Sequence, residues 1–203
     1  MSFIYLIRHG ESIANAIKIK QNKDDYPLSA NGIIQASSIT LEDAPDIIYT
    51  SPYTRTRETA QIICRKYNSN IKADERLVEW QVFPELQNYK LTEENRRAIN
   101  PYVLQKDLHN KYGAGESFFD IHTRMNDFIS DNIDNTHYSN IVIVSHAAAI
   151  NHLIHVLLFG YDLDSKKHFD FFLKHEHIYN CGVTKIKREN GNTEIEYFNK
   201  KYY

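Results

Sequence analysis

Three short apolar runs rich in β-formers, Phe3 to Ile7, Asp46 to Thr50 and Asn140 to Val144, each stop at a polar cluster, with helix-compatible sequence following each one. The clusters are Arg8-His9-Gly10-Glu11-Ser12, Ser51 to Arg57 and Ser145-His146. Parallel strands cannot be joined by a tight turn, so strands alternating with helices predict a mainly parallel sheet with helices on both faces. The expected fold class is therefore α/β, a three-layer α/β/α sandwich. In such sheets ligands bind beyond the carboxyl ends of the strands. All three polar clusters fall at that level, which makes them candidates for one pocket.

The remaining elements follow from local signals. Pro27-Leu28-Ser29 supplies a turn and an N-cap for a helix through Ile39. Ser51-Pro52 predicts a helix with Pro52 at its first position, running to about Tyr67 with Ala60, Ile63 and Cys64 on its apolar face. Asn70 to Ala73 reads as a short strand, Ser117 to Ile133 and Ala147 to Leu158 as helices. Val183 to Lys187 and Thr193 to Tyr197 flank Asn190-Gly191, a hairpin signal. About residues 81–116 the chain is polar and broken by Pro84, Pro101, Gly113 and Gly115, and reads as a helical or irregular excursion over one face. With 203 residues, 42% of them hydrophobic, the expectation is a single domain over 1–203.

Charge narrows the function. A net charge of −2, from 24 basic and 26 acidic residues, gives no global field for nucleic acid or a membrane surface, so an anion site must be local. Ile141 to Gly160 is apolar, but Ser145, His146, Asn151, His152 and His155 would be costly in lipid, and no membrane span is expected. Met1 to Ile7 lacks a basic n-region and reads as a strand, not a signal peptide. Cys64 and Cys181 are too few for a disulfide framework, although one bridge between them stays open, and a reducing cytoplasmic setting is expected. His152 with His155, and His175 with His177, have spacings that could hold a metal. No Cys or carboxylate cluster completes either pair, so they read as packing or surface histidines. Phe169, Phe171 and Phe172 read as core, not as a stacking platform. Oligomeric state is not readable.

A phosphoryl-transfer pocket without metal needs a nucleophile, fixed donors for the equatorial oxygens and an acid for the leaving oxygen. Arginine suits the donors, since its planar fork is always charged and bonds phosphate in a bidentate way. A neutral imidazole can attack phosphorus when an acceptor holds its other nitrogen.

Leu6-Ile7-Arg8-His9-Gly10-Glu11-Ser12, with Asn15 three residues on, resembles the signature of the histidine phosphatase superfamily, also called phosphoglycerate mutase-like. Further matches follow in the family's order: Asp25-x-Pro27-Leu28-Ser29-x-x-Gly32-x-x-Gln35-Ala36, Ser51-Pro52-Tyr53-Thr54-Arg55-x-x-x-Thr59-Ala60, Arg76-Leu77-Val78-Glu79, Gly115-Glu116-Ser117 with Arg124, and Val144-Ser145-His146. The resemblance covers Phe3 to Asn151 and, more faintly, Asn180 to Thr184. It implies a phosphomonoester hydrolase in which His9 becomes a phosphohistidine and Arg8, Arg55 and His146 hold the phosphoryl group. Asn15 would add a hydrogen bond, and the backbone at Ala147 would be a further phosphate contact. Glu79 would protonate the leaving alkoxide and then deprotonate water. No cofactor or metal is implied, and the partner would be a small phosphorylated metabolite.

Two stretches depart from the family pattern. Ala147-Ala148-Ala149 stands where many members carry glycines, and Trp80-Gln81-Val82-Phe83-Pro84-Glu85 replaces a Gly-Trp-Glu-Gly type stretch, which makes Glu85 a second candidate acid. Glu116 reads as a helix cap or as orienting a pocket arginine, and Arg124 as structural. Substrate choice would come from the excursion, whose Lys90, Arg96, Arg97 and Lys106 could meet a second anionic group. The alternatives are phosphoglycerate mutase-type transfer and a weakly catalytic member that binds phosphorylated ligands.

Overall fold

A computed structural model describes residues 1–19, 25–81, 108–111, 113–161, 177–189 and 192–203. The expectations for Glu85, for Lys90, Arg96, Arg97 and Lys106, for His175, for Phe169, Phe171 and Phe172, for the turn Asn190-Gly191 and for most of the excursion lie outside the described residues.

The elements are β1 (Ser2–Arg8), α1 (Ile13–Ala16), α2 (Ala30–Ser38), β2 (Ile47–Thr50), α3 (Thr54–Tyr67), β3 (Asn70–Ala73), a 3-10 turn (Glu75–Leu77), α4 (Phe118–Ile129) continued by a π-helical turn (Ser130–Asp134), β4 (Asn140–Ser145), α5 (Ala147–Phe159), β5 (Val183–Glu189) and β6 (Asn192–Lys200). The sheet order is β3-β2-β4-β1-β5-β6. β1, β4, β2 and β3 run parallel, while β5 runs antiparallel to β1 and to β6, the expected hairpin.

β1, β2 and β4 are apolar on both faces because both faces are covered. Ile4 and Leu6 of β1, Ile47 and Tyr49 of β2, and Ile141 and Ile143 of β4 pack with Ile121, Met125 and Phe128 of α4 and Ile150, Leu153 and Ile154 of α5. The alternate residues Tyr5, Ile7, Ile48, Val142 and Val144 pack with Ala36 of α2 and Ala60 and Ile63 of α3. Period-two alternation thus sorts each strand's side chains into two cores, giving three layers. Burying one such aliphatic side chain contributes about 1.5–3 kcal/mol.

Pro52 is not the first helical residue: α3 starts at Thr54 with Tyr53 as its N-cap. The Ser51 hydroxyl, expected to cap, instead meets His146 Nε2 at 2.8 Å and Thr56 Oγ1 at 2.8 Å. The cap comes from far off, because the Asp25 carboxylate accepts from both the backbone N–H and the hydroxyl of Thr54. The apolar stretch from Ile141 to Gly160 is divided between β4 and the 13-residue α5, and no helix among the described residues is long and apolar enough to cross a membrane. Cys64 and Cys181 are free thiols.

Candidate active site

β1, β4 and β2 are neighbours in the sheet and point the same way, so the residues that follow them emerge side by side. That topology brings Arg8-His9, Ser145-His146 and the Ser51–Arg55 segment to one sheet edge. The His9 and His146 rings lie 5.2 Å apart, centroid to centroid, and both are buried.

The loop after β1 is fastened on several sides. The Gly10 N–H donates to Thr59 Oγ1 at 3.0 Å, and Thr59 Oγ1 donates to the Arg55 carbonyl at 2.8 Å, which ties the loop to α3. The Glu11 N–H donates to Gln35 Oε1, while the Ser29 hydroxyl donates to Glu11 Oε1 and accepts from the Gly32 N–H. Gly10 and Gly32 let α2 come this close. A Cβ on Gly10 would stand 2.6 Å from the Gly32 carbonyl oxygen, and one on Gly32 would run into the Glu11 carbonyl.

His9 Nδ1 lies 2.7 Å from the Gly10 carbonyl, which can only accept. The proton therefore sits on Nδ1 and the lone pair on Nε2. Burial, followed by the charges of Arg55 and Arg8, holds the His9 pKa well below that of an ordinary imidazole, against the Gly10 hydrogen bond. His146 is depressed for the same reasons, burial first and Arg55 next. Both rings are neutral at neutral pH.

The two arginines supply the charge. Arg55 is 2% exposed, and its Nε and Nη1 have no hydrogen-bond partner among the described residues; the same holds for Arg8 Nε. Arg55 Nη2 faces His146 Nδ1 at 3.3 Å, its guanidinium stacks 4.8 Å from the Tyr53 ring centre, and Arg8 Nη1 donates to the Ile178 carbonyl at 2.6 Å. Burial draws both guanidinium pKa values down, and the Glu79 carboxylate opposes it in each. A buried donor without a partner costs about 1–3 kcal/mol, so paired guanidiniums of this kind suit an anion.

Glu79 sits against the start of α5. Its Oε1 accepts from the Ala149 N–H at 3.0 Å and from its own neighbour Trp80 N–H at 3.0 Å, and its Oε2 is 3.4 Å from the Ala148 N–H. The helix following His146 thus has its free N–H groups met by the candidate acid, a favourable place for a carboxylate. Trp80 is buried against Phe118 and His152. Arg124 holds the segment below by bonding Glu116 at 2.6 and 2.9 Å, the Glu79 carbonyl at 3.3 Å and the Arg76 carbonyl. Of the two readings of Glu116, orienting an arginine is the one seen; the cap of α4 is Ser117 with Asp120. Asn15 closes a capping box with Ser12, and its Oδ1 also accepts from Asn180 Nδ2 at 3.3 Å.

Asn180 escaped the reading of site residues. Its Nδ2 also donates to the His9 carbonyl at 3.0 Å, across 171 positions of sequence, and the following Cys181 N–H donates to the Arg8 carbonyl. Burial pushes the Cys181 thiol up to about 12, so it takes no part as a thiolate. The faint match at Asn180 to Thr184 was the only available signal. His152 and His155 pack with His122, ring centres 6.0 and 5.1 Å from it, between α4 and α5. No group of three His, Cys, Asp or Glu among the described residues is placed to hold a metal ion.

An open, mainly parallel sheet gathers two neutral histidines, the buried Arg55 and the part-buried Arg8 at its carboxyl edge, an arrangement of the kind a histidine-dependent phosphoryl-transfer class requires. The profile of the histidine phosphatase superfamily (branch 1) matches residues 4–201, and the chain belongs to that family. It is 30% identical over 206 residues, 98% of this chain and 96% of the other, to a Hydrogenobacter thermophilus protein proposed to be a phosphoserine phosphatase. An Escherichia fergusonii protein assigned as a phosphoglycerate mutase is 29% identical over 76% of this chain and 74% of its own. Among solved structures, the Entamoeba histolytica phosphoserine phosphatase in complex with 3-phosphoglyceric acid superposes with a TM-score of 0.80 at 25% identity, covering 98% of each chain.

Proposed function

We propose that this chain is a metal-independent phosphomonoester hydrolase, one domain over 1–203, acting on a small phosphorylated metabolite through a phosphohistidine on His9. The observation that carries the reading is the lone pair on Nε2 of the buried His9, close to guanidinium donors of Arg8 and Arg55 that have no partner among the described residues. In the first step Nε2 bonds to phosphorus, the bond to the leaving oxygen breaks, and Glu79 gives that oxygen a proton. In the second, water attacks phosphorus, Glu79 takes its proton and the P–N bond breaks. Arg8, Arg55, His146, Asn15 and the Ala147 backbone hold the equatorial oxygens. The two free thiols, Cys64 and Cys181, fit a cytoplasmic setting.

The experiment is turnover of p-nitrophenyl phosphate by the chain and by its His9→Ala form, with EDTA present. Turnover should survive EDTA and vanish with His9. Undiminished turnover in the variant removes His9 as the nucleophile, and EDTA loss restored by a divalent ion removes the metal-free mechanism. Phosphoserine and 3-phosphoglycerate are the first metabolites to assay, and 2- and 3-phosphoglycerate interconversion outpacing phosphate release would make it a mutase.

A further inference from the structure

Behind His146 stands a chain of hydroxyls that the chemistry above does not use. Arg55 Nη2 can only donate, so His146 Nδ1, 3.3 Å away, is an acceptor and the proton of the neutral ring is on Nε2. Nε2–H then donates to Ser51 Oγ at 2.8 Å. Ser51 Oγ, which also takes the Tyr53 N–H at 3.4 Å, has its own proton left for Thr56 Oγ1 at 2.8 Å. Thr56 Oγ1 in turn donates to the Tyr53 carbonyl at 2.7 Å, with the Ser51 carbonyl at 3.0 Å as its other acceptor. Because the chain ends on carbonyls, every hydroxyl proton runs away from the imidazole. Reversing it would break the 2.7 Å bond from Thr56 Oγ1 to the Tyr53 carbonyl, which would then keep only the Thr56 and Arg57 N–H groups at 3.1 and 3.0 Å. Ser51, Thr56 and His146 are all buried at 1% exposure or less, so water does not compete for these positions.

We propose that Ser51 and Thr56 are positioning residues that lock His146 as the Nε2–H tautomer, so that it joins a bound phosphoryl group only by taking a proton on Nδ1, as an imidazolium. This rests on the phosphate-pocket reading above. Phosphate oxygens draw the Arg55 guanidinium to themselves, and a bare Nδ1 lone pair facing an anion is repulsive; a proton from solvent or from the phosphate monoanion turns it into a donor. The charged groups around the ring act in both directions. Arg55 and Tyr53 approach from α3, His9 and Arg8 from the end of β1, Arg124 from α4, and Glu79 lies at the start of α5. In the free protein Arg55 and Arg8 disfavour the imidazolium, and an arriving phosphate dianion offsets them.

The test is nitrogen NMR of the full chain carrying ring-labelled histidine, first free and then with saturating inorganic phosphate, with His9→Ala and His146→Ala spectra for assignment. In the free protein His146 should show a protonated Nε2 and a bare Nδ1, and with phosphate both nitrogens should be protonated. A protonated Nδ1 in the free protein, or a bare Nδ1 in the complex while the His9 signals move, overturns the proposal and leaves the pocket intact. If phosphate moves neither histidine, the pocket reading itself fails and this proposal with it. Thr56→Val, which removes only the hydroxyl, should mix the two His146 tautomers and lower kcat about tenfold with little change in KM, the effect of one buried hydroxyl left without a partner. Thr56→Ser should restore both readouts. A Thr56→Val protein that melts earlier yet keeps the parent's imidazole signals and kcat would make the hydroxyl merely structural.

Discussion

Arg55→Met should make the free protein more stable while nearly abolishing its activity. In the free protein Nε and Nη1 of Arg55 are buried donors with no partner among the described residues, each costing about 1–3 kcal/mol. Arg55 is also the second residue of α3, where a positive charge opposes the helix dipole by about 0.3–1 kcal/mol. Against this, methionine forfeits the 3.3 Å contact to His146 Nδ1, about 0.5–1.5 kcal/mol. It also forfeits the stack on Tyr53, about 0.5–1 kcal/mol, while keeping the apolar stem in place. The balance favours methionine by about 1–4 kcal/mol, roughly 3–12 °C in Tm for a chain of this size. In the loaded pocket the same two nitrogens would make charge-assisted bonds to phosphate of about 1.5–3 kcal/mol each, so kcat/KM should fall roughly 10²–10⁴-fold. The assay is paired: thermal unfolding with and without inorganic phosphate, and kcat/KM on p-nitrophenyl phosphate. Phosphate should raise the parent's Tm and leave the variant's unmoved. A variant several degrees less stable than the parent without phosphate, or one within tenfold of its kcat/KM, refutes the reasoning and makes Arg55 an ordinary structural arginine.

Three other outcomes follow from the same geometry. Glu79→Gln keeps an oxygen for the Ala149 N–H but cannot give or take the proton, so kcat should fall about 10²-fold or more and a phosphoenzyme should accumulate on p-nitrophenyl phosphate; a variant at parental kcat moves the acid elsewhere. His9 and His146 both have pKa values held below the unfolded value of about 6.5, so below that pH the unfolded chain binds protons that the native state refuses. Their contribution to stability is complete above about pH 6.5 and is lost as pH falls, by at most about 1.4 kcal/mol per pH unit per ring; His9→Asn should flatten the drop in urea midpoint between pH 6.5 and 5, and an unchanged slope counts against a neutral buried His9. Gly32→Ala would drive a methyl at the Glu11 carbonyl, costing about 1–3 kcal/mol in urea unfolding, and parental stability would mean that α2 is free to withdraw from the nucleophile loop.

The strands were legible because residues such as Ile4 to Ile7 and Ile141 to Val144 are buried on both faces and so read as unbroken apolar runs. That placement gave Arg8-His9 and Ser145-His146 their common edge. Local rules failed where a distant partner outbid them. Ser51-Pro52 looks like a helix start, yet the Ser51 hydroxyl is held by His146 and Thr56, and Asp25 caps α3 in its place. Asn180 was invisible as a site residue because nothing in a lone asparagine announces that it will meet a backbone carbonyl 171 positions away. The clamp of Arg124 on Glu116 was partly legible, since Glu116 reads as orienting an arginine and Arg124 as structural, whereas the reach of Arg124 to the Glu79 carbonyl was not.

The departure at Ala147-Ala148-Ala149 acquires a physical sense from Glu79. Glycine after the second histidine would leave the start of α5 loose; alanine costs less in a helix and commits Ala148 and Ala149 to presenting their N–H groups. Those groups fix the Glu79 carboxylate. Glu79 Oε1 is met by both the Ala149 and Trp80 N–H groups at 3.0 Å, whereas Oε2 has only the long 3.4 Å approach of the Ala148 N–H. In the proposed mechanism Oε2 is therefore the oxygen that would carry a proton to the leaving group and take one from water. Because α5 begins at the residue after His146, the same backbone that orients this oxygen also carries the imidazole facing the nucleophile. Of the altered stretch, the described Trp80 is buried against Phe118 and His152 and Gln81 donates its N–H to Glu116, which holds the segment carrying Glu79 from below as α5 holds its carboxylate from above.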